Sequence, residues 1–155
     1  MRPIASMLQT LEMVATLAAV LFTGAALYIN VVEHPSRMEL PTKFAALQWA
    51  PSYKRATLLQ ATLALVSLLS GVAAWLLGAS VWWLVAALFV GAIVPYRFIV
   101  VMPTNHKILE PGRDLASVET RELLQKWAKL HGVRTALSLV ASIICVWQLQ
   151  RERHC

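Results

Sequence analysis

Three of the four long apolar segments carry a stripe of small and polar residues spaced alternately four and three positions apart. The first stripe is Glu12, Thr16, Ala19, Thr23, Ala26, Asn30 and Glu33. The second is Tyr53, Thr57, Gln60, Ala64, Ser67, Gly71, Ala74 and Gly78, and the last is Trp127, His131, Arg134, Ser138, Ala141, Cys145 and Gln148. This spacing keeps a residue on one face of a helix, and its mean period of about 3.5 favours left-handed packing of neighbouring helices. Lipid penalises such a face, whereas an adjacent helix accepts it because small residues let two backbones approach closely. The apolar runs cover residues 13–32, 56–77, 81–102 and 133–149. Each is about 17–22 residues long, enough to cross a hydrocarbon core as a helix. The predicted fold is all-α: an antiparallel four-helix transmembrane bundle forming one membrane domain over residues 1–155.

The segments between the runs refine this picture. Glu33-His34-Pro35 is expected to end the first span, because proline lacks the helical donor and restricts the residue before it. A short interfacial helix is expected after span one, from Pro41-Thr42 to Ala50, with Ser52 as N-cap of the second span. Gly78-Ala79-Ser80 reads as a tight hairpin flanked by interfacial Trp75, Trp82 and Trp83. Pro95 should kink the third span or free a carbonyl near its inner end, and Met102-Pro103-Thr104-Asn105 should close it. After a turn at Pro111-Gly112, Ser117 is the expected N-cap of a long cytoplasmic extension of the fourth span, with Glu119 in its first turn.

Composition agrees with a membrane chain: 58% of residues are hydrophobic and 14% charged, against about a quarter charged in soluble domains. The first run is long for a signal-peptide core and its stripe continues to Glu33, so it reads as a retained span. The net charge of +6 does not point to nucleic acid, because the cations serve topology. Arg37, Lys43, Lys54, Arg55, Arg97, Lys107, Arg113, Arg121, Lys126, Lys129 and Arg134 lie on the loop side, against Arg2, Arg151 and Arg153 on the other. Cation-rich short loops stay in the cytoplasm, which places both long loops inside and both termini on the opposite side. Cys145 and Cys155 sit too far apart on one helix for a disulfide. Cys145 is expected to be a packing residue and Cys155 an exposed thiol.

The polar groups concentrate at one end. Asn30, Glu33 and His34, then Tyr53, Lys54, Arg55 and Gln60, then Tyr96, Arg97, Asn105 and His106, and lastly His131 and Arg134 all fall near the inner ends of their spans. Ionisable groups at membrane depth are costly and mark function. Arg97 has two readings, snorkelling to the interface or pairing with Glu33. Glu12, at the other end, reads as a protonated or paired packing residue. In one chemical arrangement His131 is a general base while Arg134 and Asn105 stabilise the oxyanion that forms. In another, His34, His131, His106 and Glu33 hold a metal ion, but no HxxH, HxxxH or ExxH pair supports it. Asn30, His34, Tyr53, Tyr96, Arg97 and Trp127 complete the expected substrate-binding set, with the three aromatics able to sandwich a flat ring.

Several segments carry a family resemblance. They are Gly24 with Leu27-Tyr28-Ile29-Asn30-Val31-Val32-Glu33-His34-Pro35, and Ala50-Pro51-Ser52-Tyr53-Lys54-Arg55-Ala56. Met102-Pro103-Thr104-Asn105 with Leu109, and Trp127 with Leu130-His131-Gly132-Val133-Arg134-Thr135, complete the set. In order and spacing the chain resembles the anthrone-oxygenase-like family of small four-span membrane proteins. The resemblance implies oxidation of anthrones to anthraquinones with molecular oxygen and no organic cofactor, the chemistry of the general-base arrangement. The expected function is therefore a membrane oxygenase acting on a flat apolar phenolic or quinone-like substrate, without a cofactor and with no assigned metal site. Its expected partners are membrane lipid and an apolar aromatic small molecule, with a homo-oligomer or larger complex left open. The alternative is a non-enzymatic accessory subunit or assembly factor. A transporter is poorly supported by the single deeply placed carboxylate Glu12.

Overall fold

A computed structural model describes the backbone of residues 2–152 and the side chains of residues 4–151. Arg153, Cys155 and the Arg2 side chain, to which the sequence assigned topological or thiol roles, lie outside these described residues. All regular structure among them is helical. The first span joins α1 (Arg2–Tyr28), a π-helical segment (Ile29–Glu33) and α2 (His34–Met38). The second is α3 (Thr42–Leu76). The third joins α4 (Val81–Gly91), α5 (Ile93–Tyr96), a second π-helical segment (Arg97–Val101) and α6 (Met102–Ile108). The fourth is α7 (Val118–Glu152). Four helical rods are long and apolar enough to cross a membrane, so the chain is a multi-pass membrane protein.

Each span packs against its two neighbours in chain order, and the first packs also against the last. The result is an up-down-up-down bundle. The three stripes face inward: Ala19, Ala26, Ala64, Ala74, Ser138 and Ala141 are buried, while Leu21, Leu58, Leu69, Leu76 and Ile143 point out. Alanine-rich layers fill the middle and the outer end, the latter around a fully buried Trp83. The inner end holds Trp49, Trp127, Leu124 and Ile108. Few polar groups tie the spans together in the apolar depth. Thr23 Oγ1 and Ser142 Oγ share a hydrogen bond of 2.8 Å, and Ser67 Oγ donates to the Ala15 carbonyl at 3.1 Å.

The rods are longer than the apolar runs, and proline is the reason the sequence shortens them. Pro35 does not end the first span. It follows a π-helical segment in which the His34 N–H reaches back to the Ile29 carbonyl, so the ladder has already widened where proline supplies no donor. The same device recurs at Pro103, where the Met102 N–H reaches the Arg97 carbonyl before the helix continues to Ile108. The third span is interrupted instead at Ala92, three residues before Pro95, as expected of a proline that leaves a carbonyl unpaired.

The separate interfacial helix is not formed. Residues 42–50 are the first turns of α3, which runs through Pro51 without a break. Ala45, Ala46 and Trp49 are buried there, and tertiary packing on both sides of Pro51 outweighs its local cost. Ser52 therefore caps nothing and hydrogen-bonds to Glu33 instead. Trp83 is core rather than an interfacial anchor, whereas Trp75 and Trp82 remain exposed and Trp82 meets Trp147 edge-on. Ser117 caps α7 through the Thr120 N–H, and α7 continues unbroken from its extension into the fourth span.

Gly71 is where the second and third spans approach most closely among the glycines. A Cβ there would meet the Ala87 Cβ at 3.0 Å and the Trp83 carbonyl at 3.2 Å. A Cβ at Gly24 would meet nothing within 4 Å. Gly71→Ala should destabilise the bundle by about 1–3 kcal/mol, the range for overpacking. Gly24→Ala should be neutral or slightly stabilising because it only removes backbone freedom from a helix. Denaturant titrations of both variants in detergent check this, and equal midpoints would show that the contact at Gly71 is not tight.

Candidate functional site

The inner end of the bundle gathers three hydrogen-bonded clusters drawn from all four spans. Asn30, on the π-helical segment of span one, is the node of the first. Its Nδ2 donates to the Ala128 carbonyl at 3.1 Å, which orients Oδ1 as an acceptor. Oδ1 receives His131 Nδ1 at 2.5 Å and Thr135 Oγ1 at 2.9 Å. An amide oxygen can only accept, so the His131 proton sits on Nδ1 and the lone pair on Nε2. No hydrogen bond reaches Nε2 among the described residues.

A second cluster surrounds Tyr53. Its hydroxyl accepts from Arg97 Nη2 and from Asn105 Nδ2, both at 3.0 Å, and lies 3.7 Å from Met102 Sδ. Its ring stacks on Trp49 with centroids 4.8 Å apart. Trp49 meets Trp127 edge-on at 5.6 Å, and Trp127 packs on His131 at 4.9 Å and on His34 at 5.3 Å. An aromatic wall therefore runs from span two to span four.

A third cluster joins the first two spans. Arg37 is buried, pairs with Glu33 and donates to His34 Nδ1 at 3.3 Å. Ser52 Oγ donates to the same Glu33 oxygen at 2.5 Å. The partner of Glu33 is thus Arg37, not Arg97. Arg37 is four residues from Glu33, so both lie on one helical face.

These groups surround a cavity of about 10 Å³, room for about one water molecule. Among its lining residues are Arg37, Trp49, Tyr53, Trp127, His131 and Arg134. Arg134 is buried, donates to Gln60 Oε1 at 3.0 Å and lies over the Phe22 ring. The polarity is lopsided. Arg37 Nε, Arg134 Nε, Gln60 Nε2 and the indole nitrogens of Trp49 and Trp127 are buried donors without a partner among the described residues. Such a lining has donors to give to an oxygen-bearing guest beside the one free imidazole lone pair of His131.

Of the residues singled out from sequence, His131, Arg134, Tyr53 and Trp127 share this lining. Asn30 stands behind His131, and His34 stands behind Trp127. Asn105 is fully buried but outside the lining, its amide committed to Tyr53. Tyr96 donates to the Leu130 carbonyl at 3.2 Å, also outside it. Arg97 lines an adjoining cleft. His106 is exposed on the loop side, apart from His34 and His131. No three histidine, cysteine or carboxylate side chains among the described residues gather in a geometry that would hold a metal ion.

Sequence reasoning missed Trp49, Ser52, Arg37 and Thr135. The residue order alone gives Trp49 to a surface helix and Ser52 to a cap. It makes Arg37 a loop cation because Pro35 reads as the end of span one. Yet a step of four from Glu33 continues the stripe to Arg37, and a step of four from His131 reaches Thr135.

The sequence profile of the family described as anthrone oxygenase matches residues 49–144. That range contains Trp49, Tyr53, Gln60, Arg97, Asn105, Trp127, His131 and Arg134. The chain is also similar to the anthrone oxygenase tpcL of Aspergillus fumigatus, 33% identical over 72 residues, covering 44% of this chain and 45% of that protein. An anthrone oxygenase of Claviceps purpurea is 25% identical over 147 residues, covering 86% of this chain and 84% of that protein. The chain thus spans under half of the first relative and most of the second. No solved structure matches it. The profile covers well over half of the four-span membrane chain, and the chain belongs to the anthrone oxygenase family.

Proposed function

We propose that this protein is a membrane oxygenase that oxidises a flat phenolic, anthrone-type substrate with molecular oxygen, His131 serving as general base. The observation that carries this reading is the bond from His131 Nδ1 to Asn30 Oδ1. It keeps the Nε2 lone pair available beside a donor-lined cavity. Nε2 removes a benzylic proton, and the electrons left behind delocalise onto the adjoining ring oxygen. Arg134 stabilises that oxyanion. Asn105 acts through the Tyr53 hydroxyl, whose ring and that of Trp127 flank the substrate. Molecular oxygen then takes up the carbanion electrons, and a carbon-bound hydroperoxide forms. Loss of the second hydrogen from that carbon with O–O cleavage leaves a carbonyl and water. Overall the substrate loses two hydrogens and gains one oxygen, and the second oxygen atom leaves as water. The family match supports the reaction class, and no step calls on an organic cofactor.

Purified protein in detergent should consume oxygen with an anthrone-type substrate. His131→Ala should slow turnover by at least about a hundredfold, the scale of a general base. Asn30 is a positioning residue. Asn30→Asp keeps an acceptor for Nδ1 but loses the donor to the Ala128 carbonyl, and should retain more kcat than a variant with neither. Asn30→Leu should lose about tenfold or more in kcat with little change in KM, the scale of an orienting partner. Gln148→Ala, at the opposite end of the bundle, serves as the control. A His131→Ala rate equal to wild type removes the base from the mechanism.

The same reading places the donor-lined end toward the cytoplasm, following the eleven loop-side cations and the tendency of cation-rich loops to stay inside. In a Cys155→Ser background, cysteines introduced at Glu39 or Asp114 should react with a membrane-impermeant label only after permeabilisation. A cysteine at Gln150 should react on intact cells. The reverse pattern would invert the orientation.

A further inference from the structure

A second cavity adjoins the first and is not used by the chemistry above. It is a cleft of about 130 Å³ between the second and third spans. It shares Thr57, Gln60 and Arg134 with the inner cavity, so the two spaces meet at those side chains. Its mouth is formed by Ala61, Val94 and Phe98, all exposed on the face the bundle turns to lipid. Its wall is the least regular stretch of the bundle. The helix is interrupted at Ala92, and a π-helical segment begins at Arg97. π-Helical insertions recur at functional sites.

The charge in this cleft is unbalanced. Arg97 and Arg134 both line it. Neither takes part in any of the three ion pairs found among the described residues. Glu33, the carboxylate at this end of the spans, is committed to Arg37 and Ser52. Arg134 is 6% exposed, and its Nε has no partner, nor has Nε2 of Gln60 beside it. Two guanidinium groups at membrane depth without a counter-charge are costly, and an entering anion relieves that cost. The guanidinium groups are also set against rings: Arg134 over Phe22 at 5.7 Å, and Arg97 over Phe98 at 5.7 Å and Tyr53 at 5.9 Å. Planar cations flanked by aromatic faces suit a planar, ring-borne oxyanion.

We propose that the cleft between the second and third spans is the port by which substrate enters from the bilayer, and that it selects a flat aromatic anion held between Arg97 and Arg134. This deepens the oxygenase reading and rests on it only in taking the inner end of the bundle as the substrate site. The apolar mouth accepts the ring system, and the two arginines draw its charged edge past Gln60 toward His131.

The test is direct binding in phosphatidylcholine nanodiscs, read by quenching of Trp49 and Trp127 fluorescence. The probes are 1-hydroxy-2-naphthoate and its neutral methyl ester, corrected for partition into empty discs. The anion should saturate one site per chain and bind about tenfold or more tighter than the ester, the scale of a charge-assisted contact. Arg97→Gln and Arg134→Gln should each remove that preference while leaving ester affinity within about twofold, since only the charged contact is lost. Ala61→Trp and Val94→Trp, at exposed positions that tolerate bulk, should block both probes. Absence of saturable binding, equal affinity for the two probes, or unhindered binding to both tryptophan variants would overturn the proposal. So would co-purification of an anionic phospholipid that Arg134→Gln abolishes, which would assign the arginines to a headgroup. Charge-selective binding without oxygen consumption would uphold the port and remove the oxidation. Oxygen consumption with no charge preference would do the opposite.

Discussion

Hydrocarbon offers no hydrogen bonds, so every polar side chain within a span must find its partner inside the bundle. That constraint organises this molecule. It turns Thr23 toward Ser142 and Ser67 toward the Ala15 carbonyl, tying neighbouring spans through otherwise alanine-rich layers. At the inner end it produces a network rather than isolated pairs. Asn30 serves two donors with one oxygen, and the Tyr53 hydroxyl accepts from residues of two different helical segments. The network is anchored on backbone carbonyls at Ala128 and Leu130, so its geometry is inherited from the helices themselves.

The helices give up regularity at the depth where this network needs it. Both π-helical segments are followed, one residue later, by a proline. One carries Asn30 and Glu33 and the other begins with Arg97. A proline within a span removes a donor, and the widened turn before it accommodates the loss. The widening changes which way the next side chains point. A regular helix through Pro35 would carry a different face of the first span toward His131. Backbone irregularity and chemistry thus share a cause in the first and third spans, while the second and fourth supply the straight aromatic wall.

What the network satisfies matters less for function than what it leaves over. Around the cavity its surplus is of donors, guanidinium nitrogens, two indoles and the Gln60 amide, while Asn105 Oδ1, outside the lining, is a buried acceptor left unpaired. A surplus of donors next to a histidine whose proton faces away from the cavity favours guests in which negative charge resides or develops on oxygen. The proposed oxidation draws its reaction class from the family and its physical rationale from the donors left around the cavity.

Much of this was legible in the residue order. Period, span length and the inward stripes follow from the number of residues per helical turn and from the exclusion of polar groups by lipid, both local properties of the chain. The gathering of Asn30, Tyr53, Arg97, His131 and Arg134 at one end followed from antiparallel connection alone. The lengths of the rods did not, because a proline's local cost says nothing about packing that outweighs it at Pro51 or a π-turn that absorbs it at Pro35. Nor did the pairings. That Arg37 rather than Arg97 meets Glu33 depends on the first span continuing as helix past Pro35, and that Asn30 sets the tautomer of His131 depends on which faces of different helices come together. The residue order determined an inward-facing polar end in a four-span bundle; only the three-dimensional packing decided which donors found acceptors and which were left to face the cavity.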